Sequence, residues 1–163
     1  MNYTPLWIKT DYSILSSLIK IDDLISTLKS LECKSAAICD DNLYGAMEFY
    51  TKCIKNDIKP IIGLEVNLEE TILLYAKNYA GYQNLCNIMT LLNEGKLTYE
   101  NIVNYINDII VVLPFESKEK EEYFKDYTSD VFIGYKDLMQ EKMISGNKVY
   151  VNKTLTLDKE NTK

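Results

Sequence analysis

The chain has neither arginine nor histidine: all 18 of its basic residues are lysines. Without imidazole there is no Ser-His-Asp or Cys-His pair, no His-ligated zinc, no histidine phosphate relay and no haem His. Without guanidinium there is no bidentate fork for phosphate, carboxylate or guanine. Glycine (6) and proline (3) are also scarce, which argues against a disordered or low-complexity chain. No apolar run approaches the roughly 18 residues of a membrane span, and the N-terminus shows no basic segment followed by an apolar one, so a cytoplasmic chain is expected.

What remains is carboxylate, lysine, tyrosine and thiol chemistry on 163 residues, with a net charge of −6. That length suits one ordinary domain with a real core. The abundance of Lys, Asn, Ile and Tyr reads as AT-rich coding, a warning against assigning a role to every lysine or tyrosine. An acidic total without arginine makes strong direct nucleic-acid binding unexpected, since that affinity rests on clustered cations. Cys33, Cys39, Cys53 and Cys86 show no C-x-x-C spacing, so reduced and mostly buried thiols are expected.

Strand and helix signals alternate along the chain. Leu6 to Ser13 reads as a short strand. Ile21, Leu24, Ile25, Leu28 and Leu31 predict a helix over 22–31 behind an Asp22 cap. Ser35 to Cys39 fits a strand covered on both faces and ends at Asp40-Asp41-Asn42. A helix over 44–56 is expected to turn Met47, Tyr50, Cys53 and Ile54 to one side. Strands follow at 61–66 and 71–76, then helices built on Leu85, Ile88, Met89 and Leu92 and over 99–106, then a strand at 109–113. The Lys- and Glu-rich stretch 116–127 predicts a charged helix with a solvated face. Strands at 131–135 and 148–152 bracket a helix near 136–143, and 158–163 reads as a polar tail. This order points to an α/β fold with a mostly parallel sheet or barrel, whose chemistry belongs at the C-terminal strand ends: residues 7–13, 40–42, 63–67 and 152–156.

Those places carry a family resemblance. Thr10-Asp11-Tyr12-Ser13-Ile14-Leu15 resembles the first motif of PHP (polymerase and histidinol phosphatase) domains, roughly H-x-H-S-x-Y-S-L-L-D-G. Ile38 to Tyr50 is similar to the second, L-T-D-H-G-N-L-Y-G-A-x-x-F-Y. Ile58 to Glu65 resembles G-I-K-P-I-I-G-x-E. Tyr75-Ala76-Lys77-Asn78 with Gly81-Tyr82-Gln83-Asn84-Leu85 resembles the L-A-K-N-x-x-G-Y-x-N-L signature of the version at the N-terminus of bacterial DNA polymerase III alpha subunits. Val149 to Asn161 aligns more weakly with V-A-T-N-D-V-H-Y-L-x-x-E-D.

The resemblance implies a distorted (β/α)7 barrel, incomplete here, over residues 1–157. It implies the N-terminal piece of a replicative DNA polymerase, with the rest of that alpha subunit and replisome proteins as partners and self-association left open. Magnesium is expected only in the palm of such a polymerase, and no cofactor in this segment. In active relatives, imidazoles and carboxylates at the strand ends hold a cluster of divalent metals that activates water for phosphoester hydrolysis. Here the two motif-one histidines fall at Trp7 and Lys9, the motif-two histidine at Asp41 or in a one-residue gap, and the late D-x-H pair at Lys153 and Leu155. Asp40, Asp41 and Glu65 are what is left of a ligand set. An ammonium 4 Å from a divalent ion is repelled by about 8 kcal/mol at an effective dielectric of 20.

The expected role is therefore structural or docking, with no catalytic residue and Trp7, Lys9, Asp40, Asp41, Glu65 and Leu155 as vestigial positions. Alternatives are a residual metal-dependent phosphoesterase or 3′ to 5′ exonuclease, or a stand-alone protein that borrowed the fold. Lys9 has two readings: it points to solvent beside a core Trp7, or it supplies the charge that metals supply elsewhere. Tyr12 and Tyr44 read as packing residues, Asn42, Gly45 and Gly63 as turn and helix-entry residues, and Asp11 has no assigned role.

Overall fold

The computed structural model describes residues 3–157, so the expected polar tail at 158–163 lies outside the described residues. The chain forms two compact units, one reaching to Ile62 and including the stretch from Asn152 onward, the other Gly63–Val151.

In the first unit, α1 (Ile21–Ser30) buries Ile21, Leu24, Ile25 and Leu28. Asp22 is not its cap: Lys20 holds that position without a side-chain bond, while Asp22 and Asp23 lie in the first turn, where the helix dipole favours anions. β1 (Ser35–Asp40) is buried from Ala36 to its end, as a strand covered on both faces should be. α2 (Ala46–Lys55) buries Ala46, Phe49 and Cys53. Of the residues expected to share one side, Cys53 is buried while Met47, Tyr50 and Ile54 are exposed. Both stripes fit a 3.6-residue period; the buried one carries Phe49, whose large apolar surface gains most from leaving water. Ile8, Ile19, Leu24, Leu28, Ile38, Phe49, Cys53 and Ile58 share one core cluster.

The expected strand at 6–13 is reduced to one residue. Ile8 bridges Ile38 on one side and Thr154 on the other, both in parallel. The Cys39 amide donates to the Ile8 carbonyl at 2.8 Å, and the Lys9 amide to the Thr154 carbonyl at 3.0 Å. Beyond Thr10 the chain leaves the ladder, because hydroxyls of Thr10, Ser13 and Ser17 take hydrogen bonds that compete with strand pairing. The resulting loop is inverted: Thr10, Ser13 and Ser17 are buried, while Ile14, Leu15 and Leu18 stand in solvent. Leu15 is held at φ 64°, a left-handed conformation that costs a non-glycine residue about 1 kcal/mol.

β2 (Lys59–Asn67) begins in the first unit and runs into the second. There it pairs antiparallel with β3 (Thr71–Ala76), Glu65 opposite Leu73. The three-residue connection dictates that direction, since a parallel crossover needs a dozen residues or more. Gly63 is thus a strand residue, not a turn. α3 (Tyr79–Asn93) starts at Asn78, whose side chain accepts from the Gly81 amide, and buries Leu85, Ile88 and Met89. Gly81 is required by close approach: a Cβ there would lie 2.1 Å from the Asp108 carbonyl oxygen. α4 (Tyr99–Asn104) opens with a Thr98/Asn101 capping box.

β4 (Ile109–Pro114) pairs antiparallel with β3 and parallel with β5 (Val131–Tyr135), which pairs parallel with β6 (Lys148–Tyr150). The sheet of this unit is mixed rather than mostly parallel. The charged stretch 116–127 is not one helix but a 3-10 segment, Phe115–Lys120, followed by α5 (Glu121–Lys125). Ser117 is drawn inward, donating to the Thr71 carbonyl at 2.8 Å, and Glu121 pairs with Lys125 at i,i+4 while itself half-buried. α6 (Leu138–Lys142) is capped by Asp137 and shorter than the expected 136–143. With six strands and six α-helices among the described residues, the chain is α/β.

Candidate functional site

Asp40 terminates β1 and is 1% exposed. The parallel bridge between Ile8 and Ile38 sets Thr10 level with it, so residues far apart in sequence meet at one carboxylate. Its Oδ1 accepts from the Thr10 amide and from Ser13 Oγ, and its Oδ2 from Thr10 Oγ1, each at 2.7 Å. Burial pushes the Asp40 carboxyl above the ordinary range; these bonds and the Lys9 ammonium work in the opposite direction.

Lys9 is 2% exposed, so the reading in which it points to solvent fails. Its amide donates to Thr154 and its carbonyl accepts from Ser17 Oγ at 2.6 Å, which fixes the backbone on both sides. Trp7 is half-buried rather than core, with the Lys153 ammonium 5.1 Å from its ring centre. Leu155 is exposed, and its carbonyl accepts from Ser17 Oγ at 3.0 Å. Asp41 is exposed; its Oδ1 accepts from Ser13 Oγ at 3.2 Å and from Asn42 Nδ2 at 3.1 Å. In the second unit, Glu65 is 2% exposed on β2 and accepts from Asn67 Nδ2 at 3.0 Å.

Tyr12 is a packing residue whose ring fills the space that a side chain at Gly45 would take, with only 2.6 Å to a Cβ placed there. Its hydroxyl donates to Glu48 Oε2 at 2.6 Å, which raises the phenol pKa. Lys52 and then Tyr12 hold Glu48 below its ordinary range; Lys52 is itself raised by Asp22 and Glu48, each 2.7 Å away. Asn42 forms the turn into α2, accepting from the Tyr44 amide at 3.0 Å, and Tyr44 is exposed. Asp11 and Tyr12 line an open pocket of about 350 Å³ with Lys20, Ile21, Asp22 and Glu48.

Thr10 and Ser13, which complete the Asp40 site, were not singled out by sequence as its partners. The available signal was their place in the stretch 10–15 that resembles the first motif. The donor set does not fit a multi-metal cluster. Both oxygens of Asp40 accept from protein donors, and no group of three or more His, Cys, Asp or Glu side chains converges among the described residues.

Interspersed strands and helices, with a buried carboxylate at a strand end, define an α/β protein. The PHP domain family matches residues 6–145, and the chain belongs to that family. It is 28% identical over 153 residues to a DNA polymerase III subunit alpha of Halalkalibacterium halodurans, covering 80% of this chain and 14% of that protein. It is 36% identical over 118 residues to the subunit of the same name in Streptococcus pyogenes serotype M3, covering 69% and 11%. The chain thus spans about a seventh or less of the length of these relatives. A solved structure from Bifidobacterium adolescentis, described as a metal-dependent phosphoesterase, superposes with a TM-score of 0.41 at 13% identity, covering 66% of this chain and 44% of that one.

Proposed function

We propose that this chain serves as the PHP domain of a replicative DNA polymerase III alpha polypeptide, and that its role there is architectural rather than hydrolytic. The observation that carries the reading is the state of Asp40, whose two oxygens accept three hydrogen bonds from Thr10 and Ser13 at 2.7 Å. A carboxylate so engaged has little left to offer a metal, and water activation for phosphoester cleavage depends on the metal. Polymerisation, with its magnesium, belongs to other segments of such a polypeptide.

The docking part of the role falls on the crest Ile14, Leu15 and Leu18, three exposed aliphatic residues on a loop pinned from inside by Ser13 and Ser17. Its occupant in this reading is another segment of the same polymerase polypeptide. The support is the length of the relatives, of which this chain matches 14% and 11%.

Metal analysis combined with a nuclease and phosphoesterase assay tests the hydrolytic half. The purified chain, incubated with manganese or magnesium, is expected to retain substoichiometric metal and to leave 3′-ended DNA and aryl phosphate esters intact. Stoichiometric metal with turnover that Glu65→Gln abolishes would establish the rival reading, a residual phosphoesterase or exonuclease.

A further inference from the structure

We infer that residues 152–157 are a strap that holds the loop over residues 10–18 in its outward form, so that the crest Ile14, Leu15 and Leu18 is presented only while the strap is seated on residues 7–9. Strap, loop and crest belong to the same compact unit. The inference deepens the docking reading and rests on it for what the crest serves.

Left to itself the loop would close the other way. Ile14, Leu15 and Leu18 stand in solvent, so each forgoes the burial that apolar surface favours, and Leu15 holds a left-handed backbone at φ 64°. Bonds from inside must outweigh both costs. Asp40 anchors the first half of the loop through Thr10 and Ser13. The second half has a different anchor, the buried Ser17.

Ser17 ties the loop to the strap. Its Oγ lies 2.6 Å from the Lys9 carbonyl oxygen and 3.0 Å from the Leu155 carbonyl oxygen, and it accepts from the Ile19 amide at 3.2 Å. One hydroxyl proton serves both carbonyls only where they are held side by side. The backbone bonds on either side of Ile8 set that spacing: the Lys9 amide donates to the Thr154 carbonyl at 3.0 Å, and the Thr154 amide to the Trp7 carbonyl at 2.9 Å. The strap is fastened further by Lys153, whose ammonium lies 5.1 Å from the Trp7 ring centre, and by Leu157, which packs against the core cluster. When the strap lifts, Ser17 keeps one carbonyl partner, residues 7–9 lose their edge bonds, and the crest is free to turn its aliphatic side chains inward.

Amide hydrogen exchange of the 163-residue chain, read residue by residue, tests this. Thr154→Pro removes the donor to the Trp7 carbonyl. It is expected to speed exchange about tenfold or more at Asp11 and Ser16, whose amides bond within the loop region, while Lys77 and Val111 of the second unit keep their rates. Ser17→Ala combined with Thr154→Pro is expected to speed the same two amides by less than the product of the single effects, since both substitutions act through one link.

Unchanged exchange at Asp11 and Ser16 in Thr154→Pro, or a double variant that shows the full product, overturns the inference. So does a uniform rise over both units, which marks a general loss of stability rather than release of a strap. Should Thr154→Pro fail to fold, Leu157→Ala takes its place: it loosens the strap from the core side and is expected to speed the same amides about threefold, and unchanged rates overturn the inference. These rates involve no partner, so the strap and the docking reading fail separately.

Discussion

Cys53 lies in the core cluster of the first unit, and burial pushes its thiol up to about 12. The thiolate is the reactive form, so this sulfur is inert at ordinary pH as long as the fold holds. All four cysteines are free; Cys33, Cys39 and Cys53 are buried and Cys86 is half-buried. A thiol reagent at about pH 8 is therefore expected to modify Cys86 first and Cys53 only as fast as the protein unfolds; equal rates would contradict the burial described here. At this scale the sequence was partly legible. Asp40 was readable as the end of an apolar strand, and the departures at Trp7, Lys9 and Leu155 as missing imidazoles. The donors on Asp40 lie 30 and 27 residues away from it, and no periodicity encodes a contact at that separation. For the same reason the sequence leaves a lysine at position 9 compatible with both solvent and interior; the folded chain buries it.

α2 shows the same limit for an element. Its existence follows from apolar spacing, yet two overlapping stripes fit that spacing, and what packs beneath the helix selects the one through Ala46, Phe49 and Cys53. Phe49→Ala is accordingly expected to destabilise by about 3–5 kcal/mol, and Met47→Ala by no more than about 0.5 kcal/mol, as read by denaturant unfolding. Reversed magnitudes would restore the outer stripe as the buried face. Strand positions were legible to within a residue or two in β1 through β5, because buried apolar runs bounded by turn residues are a local signal. Pairing direction was less so: the three-residue link from β2 to β3 forces an antiparallel step into a sheet whose βα alternation suggested parallel order. The division of 115–125 into a 3-10 segment and α5 depends on Ser117 reaching the Thr71 carbonyl, a contact 46 residues distant in sequence.

For the molecule as a whole, the docking crest makes the architectural role testable. Leu15→Asn with Leu18→Asn changes only exposed side chains, and asparagine tolerates the left-handed backbone at position 15 better than leucine does. The doubly substituted chain is expected to melt within a few degrees of the original. Its affinity for the separately prepared remainder of a polymerase alpha polypeptide is expected to fall about tenfold or more, measured by calorimetry or co-sedimentation. Unchanged affinity would remove the crest from the interface.

The sequence by itself determined the α/β order of elements, the family, and the exclusion of every mechanism that needs imidazole or guanidinium, because composition and short-range spacing are local properties of a chain. Tertiary structure decided that Lys9 is buried, that Phe49 rather than Met47 faces the core, and that the strands of the second unit run in mixed directions. Each of these turns on which distant residues exclude water from one another, and burial, unlike periodicity, is settled only when the chain has folded.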